Sequence, residues 1–101
     1  METVAANMIR AIHQTLDGIE KCPKMYGTPE AIELQYEMLL SILAAGYGVE
    51  HGIVRDIVMK VTFARVGAGC NSFLFARCAT EEDLLAGLKE IRAQVERLLQ
   101  P

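Results

Sequence analysis

The sequence has 101 residues, which fits one domain with a core of its own, and a formal net charge of −3, which argues against general nucleic-acid binding. Its hydrophobic fraction of 51% includes no Trp and few aromatics, so the surplus is aliphatic and exceeds what one small core hides; a homodimer is the expected remedy. The longest uncharged run, Met38 to Val49, has twelve residues and is too short to span a bilayer, so no membrane is expected as a partner.

The spacing predicts a first helix over 3–21, with Thr3 as its cap and Val4, Met8, Ile12, Leu16 and Ile19 on one stripe. Gly18 weakens its last turn, and Cys22-Pro23 stops it, because the residue before Pro is pushed from helical dihedrals. In the turn that follows, Met25 and Tyr26 are expected to plug the bundle end. A second helix is predicted over 29–45. Thr28 caps it, Pro29 suits its first position, and Gly46 or Gly48 closes it in the left-handed conformation. Ile32, Tyr36, Leu39, Leu40, Leu43 and Tyr47 give it one apolar face, and Leu34, Met38 and Ile42 a second, so this helix is expected to be buried on more than one side.

A third helix is predicted over 49–66, with Ile53, Val54, Ile57, Val58, Val61, Ala64 and Val66 as its buried side. Its Val, Ile and Thr content also suits a strand, but length and the i, i+3, i+4 pattern favour helix, with Asp56 and Lys60 spaced to pair. Gly67-Ala68-Gly69 ends it. Residues 73–77 then form either a short helix or an extended connector. The last helix is predicted over 81–99: Thr80 caps it, and Glu81, Glu82 and Asp83 suit the positive first turn. Leu84, Leu88, Ile91, Val95 and Leu98 form an a/d seam of two heptads, too short to stand alone, which must pack in the bundle or across a dimer. Arg92 and Glu96 are spaced to pair on this helix.

Charge divides unevenly. Residues 1–50 hold seven acids and three bases, whereas Arg55, Lys60, Arg65 and Arg77 share their stretch with one acid, Asp56. An anion-binding face is one reading, and a solvated face or a contact to the acidic half of a second copy is the other. Glu30, Glu33 and Glu37 read as a solvated acidic face, since the Glu-x-x-His steps of bundle metal sites are missing. His13 and His51 are candidate proton-transfer groups. His13 lacks the neighbouring base that a phosphotransfer histidine needs, Asp17 standing near that place.

Gly67 to Ser72 is the most glycine-rich loop. Backbone N–H groups after Gly69 could face an anion, with Arg65 or Arg77 as its counter-charge. Cys70, next to Asn71, stands at a possible helix start, where a thiol pKa is lowered. The three cysteines, Cys22, Cys70 and Cys78, form no CxxC or Cys/His cluster, so no metal, cofactor or dithiol motif is expected and a reducing cytoplasm is. No basic segment followed by an apolar core opens the sequence, so no signal peptide is expected. Residues Cys70 to Leu85 resemble part of the carboxymuconolactone decarboxylase and alkylhydroperoxidase-like helical family, in which a Cys begins a helix and a Thr/Ser-Glu-Glu-capped helix follows. Redox members carry a second Cys where Phe73 stands, and a His soon after, so the resemblance implies no catalytic site here.

The expected fold is all-α: one bundle domain over 1–101, with four main helices and one short helix or connector. The leading function is a cytoplasmic, non-enzymatic interaction module whose partner is a second copy or another protein. The alternative is a small-molecule or anion binder built on 65–78, drawing on Arg65, Gly69, Cys70, Asn71, Arg77 and His51.

Overall fold

The computed structural model describes residues 2–66 and 80–100. Among them are four α-helices, α1 (Glu2–Lys21), α2 (Pro29–Ala45), α3 (His51–Val66) and α4 (Glu81–Leu99), with a 3-10 turn at Pro23–Tyr26 between the first two. The all-α expectation holds. The 73–77 segment, the Gly67–Ser72 loop, Cys70 and Cys78 lie outside the described residues. No helix among the described residues is long and apolar enough to cross a membrane.

Local chemistry sets most boundaries. Thr28 Oγ1 accepts from the Ala31 N–H, and Thr80 Oγ1 from the Asp83 N–H, each at 3.2 Å, so both predicted caps form. α1 instead begins ahead of Thr3, which lies inside its first turn. At the end of α2 the left-handed residue is Gly48, with φ +80, while Gly46 stays helical. The Val49 N–H reaches back to the Ala44 carbonyl at 2.9 Å and the Gly48 N–H to that of Ala45 at 3.0 Å, the Schellman closure. This turn holds Val49 and Glu50 out of α3, which starts two residues later than the spacing predicts.

α2 packs against each of the other three helices, α3 and α4 form the other close pair, and α1 meets α4 along a shorter contact. Ile12, Leu16 and Ile19 enter the core from α1, Tyr36, Leu40 and Leu43 from α2, Val54, Val58 and Val61 from α3, and Leu84, Leu88, Ile91 and Val95 from α4. The β-branched residues of α3 thus sit in a helix with Val54, Val58 and Val61 stacked on one face. Thr62, also buried there, donates its hydroxyl to the Val58 carbonyl at 2.7 Å, which removes the cost of burying it. Tyr26 closes the bundle end as expected, lying so close to α1 that a Cβ on Gly18 would meet its hydroxyl; Met25 is exposed.

Two expectations for α2 are overturned together. Leu34, Met38 and Ile42 are 46%, 54% and 49% exposed, whereas Glu33 and Glu37 are buried at 4% and 8%. The acidic face is turned inward and the second apolar flank outward. For Glu37 the reason is a counter-charge: Arg55 of α3 donates to its Oε1 at 2.5 Å. Leu39 is only half-buried, and its neighbour Leu40 takes the fully buried place. The seam of α4 is buried within the chain except for Leu98, which is 47% exposed. Asp56 and Lys60 form no ion pair among the described residues and both point outward.

Candidate functional site

Of the residues named for an anion site, His51 and Arg65 fall among the described residues, and they lie at opposite ends of α3. His51 is the first residue of α3 and Arg65 lies in its last turn, about 21 Å along the axis at 1.5 Å per residue. His51 is exposed, and its Nδ1 lies 2.7 Å from the Ser41 hydroxyl of α2, a contact that ties the start of α3 to its neighbour. Gly69, Cys70, Asn71 and Arg77 lie outside the described residues.

The densest polar cluster among the described residues is one that the sequence signalled only through the Arg92–Glu96 spacing. Arg92 of α4 extends inward until its side chain is 15% exposed. Its Nη1 donates to Asp17 Oδ1 and to Glu20 Oε2 on α1, and its Nε donates to Glu96 Oε1, all at 2.7 Å. Its Nη2 lies 3.1 Å from His13 Nδ1. A guanidinium only donates, so His13 accepts at Nδ1 and carries its ring proton on Nε2 in this arrangement. The Tyr36 hydroxyl, from α2, donates to the same Glu20 oxygen at 2.6 Å. Three helices are therefore joined through one carboxylate and one guanidinium.

The electrostatics of this cluster follow from its geometry. Burial by itself would lower the Arg92 pKa, but the hydrogen bonds to Asp17, Glu20 and Glu96 outweigh it and push the pKa up, so the cation persists. Burial, with the hydrogen bond to Glu20 behind it, raises the Tyr36 pKa far above the ordinary value of 10.0. Arg92 is surrounded by three carboxylates and holds no surplus positive field for an anionic ligand. The arrangement fixes helices; it holds no activated nucleophile.

A raised folded-state pKa means that the native state keeps a proton which the unfolded chain releases. The Tyr36 contribution is complete below pH 10 and is lost as pH rises above it, at up to about 1.4 kcal/mol per pH unit. Urea melts between pH 9 and 11 should show this fall, and Tyr36→Phe should flatten it relative to the parent. Equal slopes in the two proteins would mean that Tyr36 ionises equally in both states.

A groove of about 520 Å³ runs between α3 and α4, with Ile53, Ile57 and Leu98 as its apolar lining and Asp56, Lys60, Gln94 and Arg97 as its polar one. A smaller hollow of about 180 Å³ lies beside the Arg92 cluster, against His13, Leu43, Tyr47 and Leu99. Among the described residues no group of three or more His, Cys, Asp or Glu side chains could hold a metal ion. Comparisons with protein-family models, curated proteins and solved structures found no match.

Proposed function

We propose that this protein is a self-associating helical interaction module that buries exposed apolar helix faces against a second copy of itself. The observation that carries the reading is the outward apolar surface of α2 and α3: Leu34, Met38 and Ile42 on successive turns of α2, and Ile53 and Phe63 on α3. A small monomer ordinarily avoids such faces, since they lower its free energy when removed from water. The reading sets the protein in the reducing cytoplasm, where the exposed free thiol of Cys22 would persist.

Light scattering at tens of micromolar tests the proposal. The expected mass is near twice the chain mass of 11.1 kDa. A monomer at that concentration would overturn it.

A further inference from the structure

The outer face of α3 carries Ile53, Asp56, Lys60 and Phe63. Their steps of three, four and three return to one side of a helix. All four side chains are exposed, Ile53 at 45% and Phe63 at 40%. The order along the face is apolar, acid, base, apolar, and both the outer and the inner pair are centred on position 58.

That symmetry makes the face complementary to its own antiparallel image. When two copies of α3 lie antiparallel about a twofold axis at position 58, Asp56 of each copy meets Lys60 of the other. Ile53 of each copy meets Phe63 of the other. We infer that α3 is the twofold contact of the dimer, each copy closing two intermolecular ion pairs between two apolar clamps. The inference rests on the self-association proposed above and names the surface that performs it.

Three observations favour a second copy as the occupant. An isologous contact places one patch against itself, so its charges must match under a twofold rotation, and these do. On α3 the face has one acid and one base, and Arg97 of α4 lines the adjoining groove, so no acidic excess opposes two chains of net charge −3 meeting there. Asp56 and Lys60 are engaged in no ion pair among the described residues, leaving both available across an interface. Leu98 of α4 borders the same face across the α3–α4 groove and extends its apolar margin.

Charge exchange tests the contact. Asp56→Lys alone puts Lys against Lys twice, and Lys60→Asp alone puts Asp against Asp twice. Each single variant should weaken self-association by about tenfold or more, as like charges placed opposite one another do. The double exchange, Asp56→Lys with Lys60→Asp, rebuilds both pairs in reverse and should restore the parental dimer. An equimolar mixture of the two single variants should also dimerise, because each then meets its complement. Circular dichroism of every variant should match the parent, since both sites are exposed.

A dimeric parent whose singles remain dimeric would overturn the α3 contact while leaving self-association standing. Met38→Glu would then be expected to dissociate it through the α2 face instead. Singles that dissociate with no recovery in either the double exchange or the mixture would also overturn the twofold pairing. A monomeric parent overturns both the contact and the self-association on which it rests.

Discussion

Leu40→Ala is expected to lower the unfolding free energy by about 2–5 kcal/mol, the range for truncating a buried leucine and leaving part of a cavity behind. Leu40 is 0% exposed and sits on α2, which packs against all three other helices. Its truncation therefore opens space at the centre, where no single helix can move in to fill it without losing contacts elsewhere. Leu39→Ala, one position away and half-buried, should cost roughly half as much, because part of its surface already meets water. Urea denaturation with a common m-value separates the two. Equal losses would mean that α2 is rotated from the orientation described.

Arg92→Leu should be the other large loss, at about 2–4 kcal/mol. Removing one partner of a buried ion pair strands the charge left behind, and the effect is reduced here because Asp17 and Glu96 reach solvent. Glu20, with a side chain 17% exposed, would keep only its bond from Tyr36. Arg92→Lys keeps the charge but not the fork that reaches two helices, and should fall between. A double-mutant cycle with Glu20→Gln isolates the pair, for which contacting residues give about 0.5–3 kcal/mol of coupling. By contrast, Arg97→Ala on the exposed side of α4 should stay within about 0.5 kcal/mol. If Arg92→Leu matched Arg97→Ala, the cluster would contribute nothing to stability.

The sizes of these effects bear on how the bundle chooses its arrangement. The apolar positions of α1 and α4 occupy one side each, so those helices have one stable rotation against a core. α2 carries apolar residues on more than one side, so apolar burial alone leaves more than one rotation open. The polar contacts decide among them: Glu37 finds Arg55 on α3, and Tyr36 finds Glu20 on α1. A helix turned to bury Leu34, Met38 and Ile42 would lose both contacts. The cost appears on the surface as an exposed apolar stripe, which is the ground for proposing that the protein associates with itself.

Local sequence determined the elements. Thr28-Pro29 and Thr80 with three following acids mark helix starts by chemistry that acts within one turn, and Gly48 marks a helix end because its backbone is left-handed there. The 3.6-residue period likewise identified most of the buried side of α1 and α4, with Met8 and Leu98 of those stripes left exposed, and kept α3 a helix despite its valines. Long-range contact decided the rest. His51 and Arg65 share a helix yet lie at its two ends, while Arg92 joins residues as far off as His13, 79 positions away. Asp56 and Lys60, spaced to pair with each other, face outward unpaired among the described residues. The physical reason is one of range. A cap or a period is complete within a few neighbouring residues, whereas the burial of a charge depends on a counter-charge brought by another helix, and only the packed bundle brings it.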